Sequence, residues 1–368
     1  MVEYDEFGPE KIIDVYHPKS GMRGFLIIDN SALGPGKGGI RMTPSVSVDE
    51  VSRLARAMTW KNAMAELPFG GAKAGIIADD RQISKDKKKE IIEEFSRAIK
   101  IVCPSLYVAG PDMNTAEEEM GWFAKANGSM KACTGKPKSM GGLPHELGST
   151  GFGVYHATLV GAEHAKIPID KATVAVEGFG NVGWFVSKFL EEAGAKLIAV
   201  SDSKGVAYSR EGLKFVELDA TKKLTGSVTN YKGCKVLPTS DIIKVDADIL
   251  VTAAIPDLIK PGDAKSVKAK MIVEGSNIPM IQDTEEMLHK LGVLIVPDFI
   301  ANAGGVISSY VEYISGTEKQ MFKMVKEKIT KNTQHVLALA GQKNLLPRIA
   351  ALSIAKERVL AKCAFCKI

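Results

Sequence analysis

One lysine, Lys73, stands in a stretch of small residues at positions 67–77, with the sequence LPFGGAKAGII. Its glycines allow the backbone to turn tightly and to approach a ligand closely, so we expect a loop here. If that loop is buried, desolvation lowers the pKa of the lysine towards neutrality, which suits proton transfer and carbonyl polarisation. The alternative is an exposed or phosphate-holding lysine, and the stretch taken alone favours that alternative.

A carboxylate follows the next apolar segment. Residues 106–109 are predicted to form a strand, and Asp112 comes soon after it, before a helix expected to begin near Ala116. The ordinary role of such a residue is to cap the helix. Ligands also bind at the carboxyl ends of strands, so Asp112 is a candidate for an active-site cleft.

A further lysine lies on a predicted helix. Apolar spacing indicates a helix over residues 49–66, with Ser47 and Glu50 as a capping box. Lys61 falls at the edge of the apolar stripe, where it either reaches solvent along its own stem or points into a cleft. Lys37 lies earlier, in a glycine-rich turn.

The second half of the chain carries a dinucleotide-binding pattern. An apolar strand predicted at residues 172–177 runs into the motif GFGNVG at 178–183, and a helix and another strand are expected to follow. In this setting the glycines permit a tight turn, and the helix N-terminus holds the pyrophosphate. Asp202 follows the last glycine by nineteen residues, where an acid for the ribose hydroxyls is expected.

The remaining pattern indicates the fold. Short apolar segments at residues 247–252, 271–274 and 294–297 are typical of a parallel sheet, and helices are expected over 306–340 and 346–362. Residues rich in glycine and proline at 134–150 suggest a hinge. We therefore expect an α/β protein with two domains separated by a cleft.

The predicted boundaries give each domain a role. Residues 1–135 with 335–368 are expected to form an α/β domain, to which a family resemblance of its segments assigns substrate binding and oligomerisation. Residues 136–334 are expected to form a Rossmann-type domain that binds NAD or NADP.

Composition excludes several other classes of protein. The chain has 368 residues, 45% of them hydrophobic and 25% charged, and a net charge of +5 that gives nucleic-acid binding no support. No apolar stretch approaches the roughly 18 residues of a membrane helix, and the acidic opening residues predict no secretory signal. The five scattered cysteines suit a reducing compartment, so we expect a cytoplasmic protein. Cys363 and Cys366 have redox or zinc spacing but no second pair, so they are interpreted as a plain helix end, and no metal site is expected.

Eight collinear segments together resemble the amino-acid dehydrogenase family that includes glutamate, leucine, phenylalanine and valine dehydrogenases. They are GPGKGGIRM, MTWKNA, PFGGAKAG, GPDMNT, TGKP, VAVEGFGNVG, EGSN and PDFIANAGGV. The resemblance is nearly full length and highly specific. It implies oxidative deamination of an L-amino acid to the 2-oxo acid and ammonium, with hydride transfer to NAD or NADP, and the reverse reductive amination.

The resemblance also implies a role for each matching residue. Lys73 polarises the substrate and helps water attack, Asp112 is the general acid–base, and Lys61 holds the α-carboxylate. The substrate-binding residues are Lys37, Gly38, Gly39, Lys61, Asn302 and Ser309. The cofactor-binding residues are Thr150, Gly178, Phe179, Gly180, Asn181, Val182, Gly183, Asp202, Ser203, Ala254, Asn277 and Asn302.

The resemblance favours glutamate as the substrate. Lys37 stands where glutamate-specific members carry a lysine for the side-chain carboxylate, and Ser309 matches a hydroxyl that holds the same group. Against this, the N-terminus is short as in leucine-type members, Gly110 replaces the usual alanine, and the loop GGLPHELGST departs from the glutamate pattern. The alternative is a dehydrogenase for leucine or another aliphatic amino acid. A non-catalytic cofactor-binding regulator is less favoured, since both catalytic residues are present.

Two properties stay open at this point. Asp202 favours NAD, whereas the pair Ser203-Lys204 suits the 2′-phosphate of NADP. The family implies a homohexamer or another homo-oligomer that acts on small molecules, without a nucleic-acid or membrane partner.

Overall fold

The computed structural model describes residues 2–366, which form two compact units. Unit 1 comprises the chain up to Leu147, Val306–Met321 and the stretch from Leu352 onwards, and unit 2 comprises Gly148–Gly305 and Phe322–Ala351. The predicted domain boundaries differ from this division at three places. Residues 136–147 and Val306–Met321 belong to unit 1 rather than to the predicted Rossmann-type domain, and residues 335–351 belong to unit 2 rather than to the predicted N-terminal domain.

Unit 1 contains, in the described residues, a sheet of six strands with helices on both faces. Its elements up to residue 127 are β1 (Lys11–His17), β2 (Met22–Asn30), β3 (Gly36–Lys37), β4 (Ile40–Thr43), α1 (Val48–Met64), β5 (Gly70–Ile77), α2 (Lys85–Ala98), β6 (Tyr107–Val108) and α3 (Glu117–Asn127). The strand order is β1-β2-β5-β3-β6, with β4 also paired to β5. β5 is antiparallel to β2 and parallel to β3 and β4.

The alternating side chains of β2 explain the two layers of unit 1. Phe25 and Ile27 pack with Val51 and Ala55 of α1 on one face. Leu26 and its alternate neighbours pack on the other face, in a core shared with α2 and α3. α1 begins as predicted, because the hydroxyl of Ser47 accepts a hydrogen bond from the Glu50 N–H at 3.2 Å.

The loop expected at residues 67–77 is wrong, because most of it is the central strand β5. Its glycines serve close packing rather than a turn. A Cβ at Gly71 would lie 2.0 Å from the hydroxyl of Thr59 in α1, and one at Gly70 would lie 1.9 Å from the Asn30 carbonyl oxygen. The small residues therefore let a helix and a neighbouring strand approach β5 closely.

Unit 2 contains, in the described residues, a sheet of seven strands. Its elements up to residue 301 are α4 (Ser149–His164), β7 (Thr173–Glu177), α5 (Asn181–Glu192), β8 (Lys196–Asp202), β9 (Gly205–Tyr208), α6 (Phe215–Thr225), β10 (Lys235–Leu237), β11 (Ile249–Thr252), β12 (Met271–Glu274), α7 (Gln282–Lys290), β13 (Leu294–Val296) and α8 (Asp298–Ala301). The order is β10-β9-β8-β7-β11-β12-β13, and the five strands β8, β7, β11, β12 and β13 are parallel. β9 runs antiparallel to both of its neighbours.

This topology confirms the predicted Rossmann-type domain. The chain leaves β7 towards β8 on one side and later returns to β11 on the other, so the strand order reverses between β7 and β11. Ligands of such sheets bind in the crevice at this reversal, beyond the carboxyl ends of the strands. The side chain of Glu177 joins the two strand ends there, because one carboxylate oxygen accepts the N–H groups of Ala253 (3.0 Å) and Ala254 (2.9 Å).

The C-terminal helices are α9 (Gly304–Tyr313), α10 (Glu318–Lys343) and α11 (Pro347–Leu360). The helical segment predicted over 306–340 is divided between α9 and α10. It is interrupted at Ser315, which has a positive φ of 57°, and Gly316. Among residues 2–366, no helix is both long enough and apolar enough to cross a membrane.

The C-terminal cysteines differ from expectation. Cys363 and Cys366 form a disulfide just beyond α11, so their interpretation as a plain helix end is wrong. They pack beside Phe7 and Ala63 in unit 1. Among the described residues, no cluster of His, Cys, Asp or Glu side chains is arranged to hold a metal ion.

Candidate active site

Strand β5 brings Lys73 next to Asp112. The lysine is 7% exposed, and its Nζ lies 3.1 Å from Asp112 Oδ2. The backbone at Asp112 is fixed by Thr115, whose hydroxyl accepts the Asp112 N–H at 2.9 Å while its own N–H donates to the Asp112 carbonyl at 3.0 Å. The helix-cap alternative for Asp112 is wrong, since Ala116 occupies the N-cap of α3.

The two groups alter each other's protonation. Burial lowers the pKa of Lys73 below 10.5, and the charge of Asp112 opposes that effect only in part. Burial acts to raise the pKa of Asp112, but the charges of Lys73 and Arg41 outweigh it and hold that pKa below 3.8. Asp112 is therefore ionised at neutral pH and is able to accept a proton.

Arg41, in β4, is a third charged member of this site. Its Nε donates to Asp112 Oδ2 at 3.0 Å, and its Nη1 donates to Glu50 Oε1 at 2.5 Å. Sequence analysis gave Arg41 no role, although it lies inside one of the family segments. The sequence did offer one signal for Arg41. It lies two residues beyond Gly39, and in an extended chain residues two apart lie on the same face, so Arg41 shares a face with a predicted substrate residue.

Lys37, in β3, is buried without an acidic partner. Its side chain is 4% exposed, and Nζ donates to the Ala109 carbonyl at 2.8 Å. No carboxylate of the described residues lies within ion-pair distance, and burial lowers the pKa of Lys37 to about 8. A Cβ at residue 110 would lie 2.5 Å from that Nζ, so Gly110 makes room for the ammonium group.

The backbone beside Lys37 also requires glycine. A Cβ at Gly38 would lie 1.6 Å from the Ala72 carbonyl oxygen, and one at Gly39 would lie 2.8 Å from the Cβ of Asp112. These two residues thus bring the backbone between Lys37 and Arg41 against β5 and Asp112. The predicted residues Lys37, Gly38, Gly39, Lys73 and Asp112 are brought together in unit 1.

Two other predicted substrate residues lie on helices of unit 1. Lys61 is half-buried in the last turn of α1, beside the fully buried Asn62, which donates to the Gly70 carbonyl at 2.7 Å. Ser309 is half-buried in α9.

The part of α9 near Ser309 is held by a buried ion pair that sequence analysis missed. Glu312 Oε1 lies 2.6 Å from Lys136 Nζ, and Oε2 accepts the N–H groups of Gly135 (3.0 Å) and Leu143 (3.1 Å). The partners are far apart in the chain, so no local spacing could indicate the pair.

The glycine motif of unit 2 fits a nucleotide diphosphate. Gly178 has a positive φ of 92°, and a Cβ at Gly183 would lie 1.9 Å from the Gly178 carbonyl oxygen. A Cβ at Gly180 would meet nothing within 4 Å, so open space lies above this residue, the N-cap of α5. A helix N-terminus without a side-chain cap is suited to an anion. Phe179, Asn181 and Val182 complete the turn.

Other predicted cofactor residues lie at neighbouring strand ends. A Cβ at Gly178 would lie 2.6 Å from the Cβ of Ala254. Asn302 Nδ2 donates to Asn277 Oδ1 at 2.9 Å, and Asn302 Oδ1 is buried with no partner among the described residues. Thr150 lies in the first turn of α4.

Asp202 is already surrounded by donors of its own chain. Oδ1 accepts from the Lys204 N–H (2.9 Å) and the Ser227 hydroxyl (3.2 Å), and Oδ2 accepts from Lys222 Nζ (2.6 Å) and the Val228 N–H (2.9 Å). A carboxylate has about four acceptor positions, and these donors use them. The proposed ribose contact of Asp202 and Ser203 stays a prediction.

Comparison with protein families identifies the chain. Residues 141–364 match the Glutamate/Leucine/Phenylalanine/Valine dehydrogenase family, and residues 9–128 match the Glu/Leu/Phe/Val dehydrogenase dimerisation domain. The chain belongs to the Glu/Leu/Phe/Val dehydrogenase family. It is an amino-acid dehydrogenase that uses NAD or NADP.

Individual members of this dehydrogenase family are similar over most of their length. The glutamate dehydrogenase of Aeropyrum pernix is 40% identical over 90% of this chain and 83% of its own. The NADP-specific glutamate dehydrogenase of Saccharolobus shibatae is 35% identical over 96% of this chain and 88% of its own. The crystal structure of the hetero-hexameric glutamate dehydrogenase of Thermus thermophilus, in a leucine-bound form, has a TM-score of 0.86 and 26% identity, and covers 98% of this chain and 90% of its own.

Proposed function

We propose that this amino-acid dehydrogenase acts on L-glutamate. The reaction converts L-glutamate, NAD(P)⁺ and water into 2-oxoglutarate, ammonium, NAD(P)H and a proton, and it runs in both directions. The observation that carries the proposal is that Lys37, near the Lys73–Asp112 pair, is a buried ammonium with no carboxylate partner among the described residues. The names of the similar proteins support the same substrate.

Binding of glutamate would satisfy the unpaired charge of Lys37. Burying a carboxylate without a partner is costly, and so is burying an ammonium. The side-chain carboxylate would pair with Lys37 and accept a hydrogen bond from Ser309, while Lys61 would hold the α-carboxylate. Gly38 and Gly39 would line the pocket, where larger residues have no room. Two fixed carboxylates would align the α-carbon for reaction.

Lys73 and Asp112 would then exchange protons with the substrate and with water. Asp112 would accept a proton from the substrate amino group, since its carboxylate is ionised at neutral pH. After the hydride has left the α-carbon, an iminium carbon remains, and Lys73 would polarise the substrate and help water attack that carbon. Collapse of the water adduct would release ammonia, which is protonated to ammonium. Burial lowers the pKa of Lys73, so it would exchange a proton more readily.

The nicotinamide cofactor, when bound, accepts the hydride from the α-carbon. The motif at residues 178–183 would hold the diphosphate, and the open space above Gly180 fits that group. Thr150, Ala254, Asn277 and Asn302 would hold the nicotinamide end; Asn302 Oδ1 is a buried acceptor with no partner among the described residues. Asp202 and Ser203 would contact the adenosine ribose after rearrangement of the donors around Asp202.

We also propose a homo-oligomer in the cytoplasm. A dimerisation-domain match over residues 9–128 and the hexameric assembly named for the Thermus thermophilus relative support association of several copies. The free thiols of Cys103, Cys133 and Cys234 support a reducing compartment, whereas the Cys363–Cys366 disulfide does not.

One assay tests the substrate proposal. The purified protein is given glutamate or leucine, each with NAD⁺ and with NADP⁺, and the absorbance of the reduced nicotinamide is followed. We expect glutamate to give the higher kcat/KM. A preference for leucine would favour the aliphatic alternative, and no turnover with glutamate would contradict the proposal.

A further inference from the structure

We propose that Arg41 is a positioning residue that fixes Asp112 by one carboxylate oxygen, leaving the other oxygen to exchange protons with the substrate. This inference rests on the proposed function, because it assumes that Asp112 is the acid–base. Nothing in the sequence motifs or the family comparison assigns Arg41 this role.

The first argument is that the contacts of Asp112 are one-sided. Arg41 Nε lies 3.0 Å from Oδ2, and Lys73 Nζ lies 3.1 Å from the same oxygen. No side chain of the described residues donates to Oδ1. Two charged donors on one oxygen hold the carboxylate plane and leave the second oxygen as the available acceptor.

The second argument is that Arg41 is itself anchored. Its Nη1 pairs with Glu50 in the first turn of α1 at 2.5 Å, so the guanidinium bridges a helix and the Asp112 segment. A planar guanidinium presents its donors in a fixed fork, and a lysine lacks that geometry. The side chain of Arg41 is 18% exposed, so the bridge is largely shielded from water.

The third argument is that the backbone keeps Arg41 and Asp112 in register. The Ile40 N–H donates to the Gly110 carbonyl at 2.9 Å, and the Met42 N–H donates to the Met113 carbonyl at 3.0 Å. Asn114 Nδ2 donates a hydrogen bond to the Met42 carbonyl at 2.9 Å. The residues on both sides of Arg41 are thus bonded to the segment that carries Asp112, so the ion pair is built into the fold.

The charged groups around Asp112 determine the direction of the pH effect. They are Lys73 on β5, Arg41 on β4 and, through Arg41, Glu50 on α1. Removal of the Arg41 cation disfavours the ionised carboxylate, which moves its pKa upwards. The acidic limb of the pH profile of kcat/KM therefore moves to higher pH.

The test uses the full-length protein with Arg41→Met and Arg41→Lys. For Arg41→Met we expect kcat for glutamate to fall by about tenfold or more, since small misplacements of catalytic groups are costly, with KM changed by less than about threefold. We also expect the acidic limb to move to higher pH. Arg41→Lys should restore the position of that limb by retaining the charge, while restoring kcat only in part because the fork is lost.

The matched control is Arg53→Met. Arg53 is an exposed arginine of α1 that pairs with Asp49 on the same helix at 3.5 Å, and its loss should leave kcat and the pH profile unchanged. Thermal melting of every variant separates misfolding from misplacement, and Arg41→Lys keeps the test decisive if Arg41→Met does not fold. An active wild type with Arg41→Met and Arg41→Lys equal to it in kcat and pH profile would overturn the positioning role alone. An inactive wild type, with no reduced nicotinamide from glutamate, would instead overturn the proposed function.

Discussion

The candidate site in unit 1 is made of charged side chains, whereas the nucleotide site in unit 2 is made largely of backbone. Lys37, Lys73 and Asp112 carry groups that titrate, and the pKa of each depends on burial and on neighbouring charges. Around Gly178, Gly180 and Gly183, the important property is that side chains are missing. Substitutions of these charged residues in unit 1 should therefore alter chemistry more than the fold, and substitutions of the unit 2 glycines should act by steric clash with the protein or the cofactor.

The sharpest test of this contrast is removal of the catalytic pair. Lys73→Ala and Asp112→Asn should each lower kcat by about 10²–10⁴, the usual contribution of general acid–base catalysis, while cofactor affinity is retained. Steady-state kinetics and fluorescence titration with NAD(P)H measure the two properties. Lys85→Ala is the control, since Lys85 is an exposed lysine paired with Glu118 at 2.6 Å. Turnover close to wild type in either variant would remove the pair from the mechanism.

The next effect concerns the choice of substrate. The double change Lys37→Leu with Ser309→Val should lower kcat/KM for glutamate by more than about tenfold, since hydrogen bonds to charged groups are worth about 1.5–3 kcal/mol. It should raise kcat/KM for leucine, because the unpaired ammonium no longer penalises an apolar side chain. The test is to measure kcat/KM of the double variant and of the wild type with glutamate and with leucine. An unchanged preference for glutamate would mean that Lys37 does not contact the substrate.

Two glycine substitutions test the backbone-built site. Gly183→Ala places a Cβ 1.9 Å from a carbonyl oxygen and should destabilise unit 2 by about 1–3 kcal/mol, seen as a lower Tm. The Cβ that Gly180→Ala adds meets no atom of the protein within 4 Å, so Tm should stay unchanged. Because that Cβ occupies the space proposed for the diphosphate, cofactor binding should weaken. Gly262→Ala is the control, since its Cβ also meets nothing within 4 Å. Equal Tm values for Gly183→Ala and wild type would contradict the close packing.

The smallest expected effect is the pH dependence of substrate binding. The pKa of Lys37 is lowered to about 8, so the ammonium loses its proton as pH rises through that value. KM for glutamate should therefore increase above about pH 8, and Lys37→Met should abolish this increase. The test is to measure KM for glutamate below and above about pH 8 in both proteins. A KM that does not change with pH in the wild type would contradict a role for Lys37 in substrate binding.

The same titration has the opposite effect on stability. The pKa of Lys37 is lower in the folded protein than its ordinary value of 10.5, so the unfolded chain binds more protons between these two values. Stability contributed by this group therefore rises with pH from about 8 towards 10.5. The buried charge of Lys37, which is proposed to bind substrate, is thus a cost to folding at neutral pH.

Much of the fold could be predicted because its signals are local. The apolar strand, glycine turn and helix at residues 172–193 are contiguous, and β12 has the predicted bounds. β5 could not be predicted from its own residues, because alanine and glycine are poor strand formers. They form a strand only because α1 and β2 pack closely on it.

The candidate site was predictable only in part, for the residues that lie in family motifs. Lys73, Asp112 and Lys37 stood out through family motifs, and the structure places them together. Arg41 offered only its spacing from Gly39, because its contact with Asp112 joins residues distant in sequence. The pair of Lys136 with Glu312 is likewise distant in sequence, and no spacing could reveal it. The domain cleft and the assignments of individual cofactor residues stay predictions.

The position of Lys73 in the central strand β5 has a consequence for how the enzyme loses activity. Its strand is paired with β2 on one side, where Lys73 lies opposite Ile27, and with β3 and β4 on the other. Amides in such a strand exchange their hydrogens with solvent chiefly when the whole unit opens, whereas loops and termini open at much lower free energy. Slow hydrogen exchange at residue 73 and retention of the catalytic geometry thus depend on the same opening event. On warming, this lysine should keep its place until unit 1 itself unfolds.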